Sequence, residues 1–368
     1  MKLCQIYNMA PLYRECIFRL MDQTFDTDFV FGKVENDIKQ LDMSDFSGQV
    51  SYVKVRQFKS WFWQCGVQRL LSKYDAFILT GDIHYLSTWL MCIRARLFYP
   101  SKKVFLWTHG WYGKETTFER IIKKLFLKLP KGGVLLYGNY ARSLMQKEGF
   151  DGNKLFVLHN SLNYPAQLAL REKCTMSNIY KEYFANNLPV VISIGRIYKR
   201  KKLEMLVEAA RIMKDYGTPC NFVVVGDGED REWLVSLSRE NGVENNFWFY
   251  GACYDEGTNA ELLFNADLCV VPGDIGLTSI HSMMFGTPCI THDDFPHQGP
   301  EFEAIVEGKT GSFFKAGDVE SLMNSITCWM NTYNGKRNEV RQACYHEVDT
   351  NWTPQHQINV LKGIFSKI

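Results

Sequence analysis

No apolar run in the sequence reaches the roughly 18–20 residues that a membrane-spanning helix needs. The eleven cysteines are odd in number and contain no C-x-x-C pair, which disfavours a disulfide framework or a zinc site and favours reduced, buried thiols. No segment repeats at solenoid spacing, and no strand is followed by a full G-x-G-x-x-G, which argues against a dinucleotide-dependent dehydrogenase. These absences favour a globular protein of a reducing compartment, and we expect a cytoplasmic location.

The composition indicates about two domains, because 368 residues with 46% apolar content can form sizeable cores. The charge is unevenly distributed along the chain. Residues 1–165 hold 23 lysines and arginines against 14 acidic residues, a formal charge of +9, whereas the remainder carries −7. The basic first part predicts an anionic partner, either a membrane surface or a phosphorylated acceptor, and we predict no nucleic-acid partner.

Short apolar runs alternate with stretches of helical period along the chain, which predicts an α/β fold with two Rossmann-like, doubly wound parallel sheets. The predicted domains are 1–165 and 189–345, joined by the polar connection 166–188 and followed by a C-terminal segment, 346–368. The strands are predicted near 3–8, 29–31, 50–55, 76–80, 104–108, 134–137 and 155–158, and near 190–194, 221–225, 246–250, 268–272 and 288–291.

A cluster of cations follows the first predicted strand of the second domain. The strand, 190–194, ends at Gly195, and five lysines and arginines follow within seven residues, Arg196 and Lys201 among them. Cations at the carboxyl end of a parallel strand face the crevice where open α/β sheets bind ligands. The alternative is an ordinary solvated basic turn.

A second strand, turn and helix follow at 268–285, with the turn from Gly273 to Gly276. The first turn of this helix is expected to present free backbone N–H groups at Leu277, Thr278 and Ser279, which suit an anion. Together the two turns predict one diphosphate held between two cations and a helix N-terminus.

The motif GRIYKRKK resembles the GR-x(4)-K turn of GT-B glycosyltransferases, specifically glycosyltransferase family 4. GTPCI resembles the family's G-x-P-V-I strand entry, and residues 303–311 resemble its E-x(4)-G-x-T-G close; the likeness covers most of 140–330. It implies a GT-B fold whose C-terminal helix crosses back onto the first domain. It also implies retaining transfer of a hexose from a nucleotide diphosphate sugar, UDP-sugar being the first expectation, with Arg196 and Lys201 as donor-phosphate cations and no metal cofactor.

The resemblance departs from the family at two positions. Where the family usually has two glutamates eight residues apart, this sequence has Gly273 and His281. His281 is expected to reach a ribose hydroxyl, because neutral imidazole carries one donor and one acceptor. Asp274 is expected to take over part of the sugar contact.

Further donor-binding residues follow two other strands. Gly226 and Gly228 resemble the family's G-x-G turn beside the donor, although such a turn also marks any tight strand–helix connection. Ala252 and Cys253 resemble the segment whose backbone meets the base; the alternative is an ordinary strand end.

In the first domain, His109 follows a predicted strand and resembles the family's histidine near the acceptor, which implies a role in placing the sugar or the acceptor hydroxyl. Tyr13 and Arg14 stand where many relatives have two glycines, and Arg14 is expected either to bind an acceptor phosphate or to start a helix. Asp82, at another strand end, is a further acceptor-binding candidate.

Three other patterns have two interpretations. The D-x-D at 26–28 is a metal motif of a different glycosyltransferase fold and lies far from the phosphate turns, so we discount it. Residues 54–73 and 116–129 mix cations with large apolar side chains. They are interpreted either as amphipathic helices that pack on the sheet or as surfaces that rest on an anionic bilayer.

The sequence therefore predicts a hexosyltransferase that acts on a glycan or lipid-linked acceptor in surface polysaccharide synthesis, such as capsule or O-antigen. It is predicted to be cytoplasmic or peripheral on the inner membrane face. A nucleotide-sugar epimerase and a non-catalytic nucleotide-sugar-binding protein of the same architecture remain alternatives, because both usual glutamates are replaced.

Overall fold

The structure is a computed structural model that describes residues 1–33 and 41–367. The chain divides into two compact units, Met1–Asn163 with Thr353–Ile368, and Tyr164–Trp352. Each unit has its own sheet, with helices packed against it, as the alternating pattern predicts. The α/β fold class is confirmed.

The first unit contains an eight-stranded sheet in the order β4-β3-β2-β1-β5-β6-β7-β8. Its strands are β1 Lys2–Tyr7, β2 Asp26–Lys33, β3 Val50–Phe58, β4 Trp61–Gln64, β5 Ala76–Thr80, β6 Lys103–Thr108, β7 Gly133–Leu136 and β8 Leu155–Val157. All neighbouring strands are parallel except β3 and β4, which form an antiparallel hairpin at the edge. The helices within 1–163 are α1 Glu15–Thr24, α2 Leu86–Phe98, α3 Thr117–Leu127 and α4 Asn139–Lys147.

The β3–β4 hairpin corrects the interpretation of residues 54–73 as an amphipathic helix. Val53 and Val55 alternate with the exposed Lys54 and Arg56, which is the two-residue period of a strand. The chain turns at Lys59, whose φ is +55°. The large aromatic residues that follow belong to the partner strand β4.

The second unit contains a six-stranded parallel sheet in the order β11-β10-β9-β12-β13-β14. Its strands are β9 Val190–Ile194, β10 Asn221–Val225, β11 Phe247–Gly251, β12 Leu268–Val270, β13 Cys289–His292 and β14 Gly311–Phe314. Its helices are α5 Tyr164–Arg171, α6 Ile179–Phe184, α7 Glu204–Asp215, α8 Arg231–Glu240, α9 Glu256–Asn265, α10 Thr278–Met284, α11 Val319–Thr332 and α12 Arg337–Asn351. Strand β14 and helix α12 are additions to the predicted elements.

The stretch 166–188, expected to connect the domains, lies inside the second unit. It forms much of α5 and all of α6, both of which pack on α9. Tyr180 of α6 is buried, and its hydroxyl donates to the Leu262 carbonyl at 2.5 Å. The polar sequence is therefore the outer face of packed helices, and the structural boundary lies at Asn163.

The last helix, α13 Pro354–Phe365, belongs to the first unit and packs on α1. Ile358 and Leu361 are buried in the core of that unit, and the Phe365 ring lies 5.1 Å from Phe25. Gln357 donates to the His159 carbonyl at 2.9 Å and accepts from the Ser161 hydroxyl at 2.8 Å. The crossing-back helix is thus confirmed as part of the first unit's core.

Candidate donor and acceptor sites

The two turns that were predicted to share a diphosphate lie side by side in the second unit. The Gly273 N–H donates to the Lys201 carbonyl at 2.9 Å, and the Arg200 guanidinium pairs with the Asp274 carboxylate at 2.8 Å. The Thr278 hydroxyl, at the start of α10, donates to the Ile194 carbonyl at 3.1 Å. The cationic turn after β9 and the helix start after β12 are therefore joined by direct hydrogen bonds.

Lys201 is held within this junction. Its ammonium donates to the Asp274 carbonyl at 2.6 Å and lies 3.4 Å from the Ile275 carbonyl. Burial lowers the pKa of Lys201, and the neighbouring Asp274 carboxylate opposes that effect. The side chain therefore supports the turn after β12 as well as supplying positive charge there.

Arg196 differs from Lys201 because it is exposed. Within the described parts of the chain its guanidinium has no hydrogen bond or ion pair, so all five N–H groups are free for a ligand. The two predicted phosphate cations thus have unequal structural roles.

Glycines permit the close approach of these turns. A Cβ atom at Gly226 would lie 1.9 Å from the Gly195 carbonyl oxygen, and one at Gly228 would lie 1.9 Å from that of Ile197. Both glycines also have positive φ, +148° and +159°. The G-x-G turn therefore packs directly on the G-R-I turn, with no room for a side chain between them.

Gly273 is equally constrained, since a Cβ atom there would lie 1.9 Å from the Arg200 carbonyl oxygen. A glutamate at position 273 would collide with the cationic turn. His281, the other replacement, is on α10 and lies 2.9 Å from the Glu256 carboxylate of α9. A glutamate from a neighbouring helix thus reaches the histidine that stands at the second family position.

Glu256 also accepts a hydrogen bond from Gln167 at 2.8 Å. Burial acts to raise the pKa of Glu256, but the hydrogen bonds from His281 and Gln167 outweigh it and hold the pKa below its usual value. Glu256 was not predicted from the sequence, because nothing in the order of residues marks a helix side chain that lies beside another helix.

The expected free N–H groups of α10 need correction, and Asp274 has local hydrogen-bond partners. Both oxygens of Asp274 are engaged, one with the Gly299 N–H at 2.9 Å and the other with Arg200, so the carboxylate braces the turn. The N–H groups of Thr278 and Ser279 point to the Ile275 and Gly276 carbonyls at 3.3 Å, and the Ser279 side chain is buried. Of the three backbone N–H groups predicted to face an anion, that of Leu277 remains as a candidate.

Gln298 also supports this turn and was missed by the sequence analysis. It is buried, accepts from the Ile275 N–H at 3.0 Å, and donates to the Thr291 hydroxyl at 2.8 Å.

The G-x-G turn after β10 contacts the end of β11, where the Gly226 N–H donates to the Gly251 carbonyl at 2.8 Å. Ala252 and Cys253 follow directly, so their backbone lies at the same sheet edge as the G-x-G turn.

In the first unit, an aromatic cluster occupies the carboxyl ends of β1, β6 and β7. His109 is exposed just after β6, and its ring lies 4.7 Å from that of Tyr137. Arg14 follows β1 and donates to the Tyr137 hydroxyl. His109 and Arg14, two predicted residues far apart in sequence, therefore contact the same tyrosine.

Tyr13 is exposed beside Arg14, and Asp82 follows β5. One Asp82 oxygen lies 2.8 Å from the His84 ring nitrogen and accepts from the His84 N–H at 2.9 Å. Asp82 thus sits in a local turn that its own hydrogen bonds define. Asp28 of the D-x-D is buried and is bound by Tyr74 at 2.7 Å and Lys2 at 3.0 Å, a structural arrangement.

Helix α3 exposes an apolar stripe, which corrects the expectation that its apolar face packs on the sheet. Phe118, Ile121 and Leu125 are 72%, 55% and 62% exposed, whereas Phe126 and Leu127 are buried. In the described ranges, no helix combines the length and apolar character needed to cross a membrane.

Solved structures identify the fold. The chain superposes on HepE from Anabaena, in complex with UDP, with a TM-score of 0.72, 14% sequence identity and coverage of 100% of both chains. At this identity the likeness establishes architecture alone, and that architecture is GT-B. The predicted GT-B fold is confirmed.

The family match falls within the second unit. Residues 177–346 match the family model described as Glycosyl transferases group 1. A stretch of 120 residues is 27% identical to alpha-D-kanosaminyltransferase of Streptomyces kanamyceticus, covering 32% of this chain and 31% of that protein. Another of 142 residues is 30% identical to the lipopolysaccharide core biosynthesis glycosyltransferase LpsE of Rhizobium meliloti, covering 38% of each. The match thus spans about a third of the length of these relatives.

Proposed function

We propose that this protein is a retaining hexosyltransferase that moves a sugar from a nucleotide diphosphate donor to a glycan or lipid-linked acceptor in surface polysaccharide synthesis. The observation that carries the proposal is the junction of the Arg196–Lys201 turn with the start of α10 in the second unit. Relatives that act in lipopolysaccharide core synthesis support the pathway class.

In this proposal the exposed Arg196 binds the diphosphate in a bidentate manner and Lys201 adds a fixed positive charge. Both would stabilise the negative charge that develops as the nucleotide diphosphate leaves. The glycines at 226, 228 and 273 let the turns that carry these cations pack directly on one another. His109, exposed in the first unit, would orient the donor sugar or the acceptor hydroxyl, and the leaving phosphate would accept the acceptor's proton.

UDP-sugars are the first donors to test, because HepE has been solved with UDP and with UDP-glucose. The experiment measures thermal stabilisation and release of free nucleotide with UDP-, GDP- and ADP-sugars, each with varied acceptors. Transfer with an unchanged anomeric configuration supports the proposal. Stabilisation without turnover would instead support a binding protein, and isomerised sugar nucleotide would support an epimerase.

The exposed stripe of α3 is the basis for proposing a peripheral membrane location. Two exposed residues at the end of α2, Leu97 and Phe98, add to it, and Arg96 of α2 lies 3.4 Å from the Lys128 carbonyl just after α3. Arg120 and Lys124 of α3 pair with Glu148, so the attraction to anionic lipid headgroups would come from the exposed Lys128 and from the formal charge of +9 on the first 165 residues. Lys123 is not among the lipid-facing cations, since it pairs with Glu115 at 2.8 Å.

The membrane proposal is tested with vesicles of mixed phosphatidylglycerol and phosphatidylcholine. Replacement of Phe118, Ile121 and Leu125 by serine should abolish cosedimentation at low salt, while Tyr254→Ser, at an exposed position of the second unit, should not change it. Equal binding of the triple variant and the wild type would refute the membrane surface.

A further inference from the structure

Arg14 is a buried cation in an aromatic enclosure. Only 5% of the residue is exposed, and its guanidinium carbon lies 4.7 Å from the Trp107 ring, 4.9 Å from Tyr7, 5.3 Å from Tyr137 and 5.7 Å from Tyr13. Aromatic faces attract a cation, but they do not accept hydrogen bonds as an oxygen does. The guanidinium needs oxygen partners as well.

The guanidinium of Arg14 has too few oxygen acceptors among the described residues. One nitrogen of Arg14, Nη2, donates to the Tyr137 hydroxyl, whereas the buried Nε and Nη1 have no hydrogen-bond acceptor among the described residues. Throughout residues 1–33 and 41–367, no carboxylate forms an ion pair with Arg14. A buried charge without a counter-ion is costly, so the site suits an anion that the described residues do not provide.

Tyr137 cannot serve as that anion. Burial raises the pKa of its phenol well above the usual value, although the nearby Arg14 acts in the other direction. The phenol is therefore neutral at physiological pH. Its hydroxyl is also shared with Tyr7, 3.4 Å away.

Two further donors belong to the same face of the sheet. Trp107 and Thr80 are register partners on β6 and β5, and among the described residues neither the buried indole Nε1 nor the buried Thr80 hydroxyl has a hydrogen-bond partner. Because the Trp107 ring lies 4.7 Å from the Arg14 guanidinium carbon, these donors belong to the same part of the sheet's carboxyl edge. Three residues from three elements thus offer unpaired donors there.

We propose that Arg14, Trp107 and Thr80 form a receptor for an oxyanion carried by the acceptor, either a phosphate or a carboxylate. A planar guanidinium with two free N–H groups suits both anions. Among the four rings only Tyr13 is well exposed, at 44%, so the anion enters as the Tyr13 side chain rotates away. The exposed His109, in contact with Tyr137, places the acceptor hydroxyl next to this anchor. The assignment to the acceptor depends on the proposed function, whereas anion binding does not.

The direct test is calorimetric titration with inorganic phosphate and, separately, acetate. It uses the full chain carrying Arg196→Ala, so that the exposed cation of the second unit does not contribute. We expect this variant to bind phosphate or acetate, and we expect Arg14→Met in the same background to bind it at least about tenfold more weakly, since hydrogen bonds to a charged group are lost. Unchanged affinity after Arg14→Met, or no binding to the Arg196→Ala protein, would overturn the receptor.

Two milder variants keep the test decisive if Arg14→Met does not fold. Thr80→Val removes only the hydroxyl and Trp107→Phe removes the indole N–H while it keeps a ring; each should weaken anion binding several-fold. Wild-type affinity in both would overturn the proposal. Tighter phosphate binding assigns a phosphorylated acceptor, and tighter acetate binding assigns an acidic sugar.

The transfer reaction provides the second measurement. If transfer occurs, Thr80→Val should raise the acceptor KM and leave the donor KM unchanged. A rise in the donor KM alone would contradict the assignment. If no donor or acceptor supports transfer, the phosphate titration still decides whether the receptor exists, so failure of the proposed function and failure of the receptor are distinguishable.

Discussion

The carboxyl edges of the two sheets occupy the same position in the fold but are built from different groups. In the second unit the edge is built from backbone, where glycines allow the turns after β9, β10 and β12 to touch through carbonyls and N–H groups. In the first unit the edge is built from side chains, where four aromatic rings enclose Arg14. A backbone-built edge is a fixed frame for a common group, whereas a side-chain-built edge can change from one protein to the next.

The largest loss of stability is expected when a side chain is introduced at a glycine of the second unit's carboxyl edge. Gly226→Ala places a Cβ atom 1.9 Å from the Gly195 carbonyl oxygen at a φ of +148°, so the turns must separate. We expect a loss of at least about 4 kcal/mol in the free energy of unfolding, together with loss of donor binding. Urea unfolding and nucleotide titration measure both.

Gly363→Ala is the control for that change, because Gly363 lies within α13 and the added methyl group would have no neighbouring atom within 4 Å outside its own helix backbone. It should stabilise the protein by up to about 1 kcal/mol. If Gly226→Ala behaves like this control, the close contact of the two turns is not essential.

The next effect concerns the free cation of the second unit. Arg196→Ala should lower kcat/KM for the donor about 100-fold, because a bidentate contact to a charged leaving group is lost. The melting temperature should stay unchanged, since Arg196 is exposed and makes no structural bond within the described chain. Lys199→Ala, a neighbouring exposed cation, is the matched control and should retain activity. An equal loss of kcat/KM in both variants would show that Arg196 acts only as part of a general basic surface.

The first unit should be the more sensitive of the two to mild acid. Burial, with a smaller contribution from His356, lowers the pKa of His159 from 6.5 to about 4. The folded state therefore favours the neutral ring, and this stability is complete above pH 6.5 and is lost as the pH falls towards 4. The loss amounts to about 3 kcal/mol.

His159→Asn tests this difference, because asparagine tolerates the φ of +56° at this position and does not titrate. The variant should show a flatter stability curve between pH 6.5 and 4 in urea unfolding. A curve parallel to that of the wild type would assign the acid sensitivity to other groups.

The smallest predicted effect is the contribution of Glu256, in the second unit, to the pH dependence of stability. The depressed pKa of Glu256 contributes stability above its usual value of 4.5, and this contribution is lost as the pH falls below that value. Because the carboxylate is partly exposed, we expect less than about 1 kcal/mol. Glu256→Gln should reduce the change in stability between pH 5 and 3, and an unaltered slope would contradict the His281–Glu256 contact.

Prediction from sequence succeeded where the signal is local. The apolar run 190–194, the glycine that ends it and the cations that follow are consecutive, so the strand, its turn and the neighbouring helix start could be inferred together. It failed for residues 54–73, where cations between aromatics suggested a helix although the valines alternate with a period of two. It did not foresee the hydrogen bonds of Asp274, because the partners that engage its carboxylate, Arg200 and Gly299, are remote in sequence.

Most strand positions, the glycine turns and the place of Arg196 after its strand follow from the sequence itself, since each depends on residues within one strand and the turn that follows it. Tertiary structure alone decided that Glu256 meets His281, that Gln298 braces the turn after β12, and that Arg14 lies buried among rings from three strands. Such contacts join residues tens to more than a hundred positions apart. Their energies depend on burial and on the partner's position, and neither quantity is encoded in any short stretch of the chain.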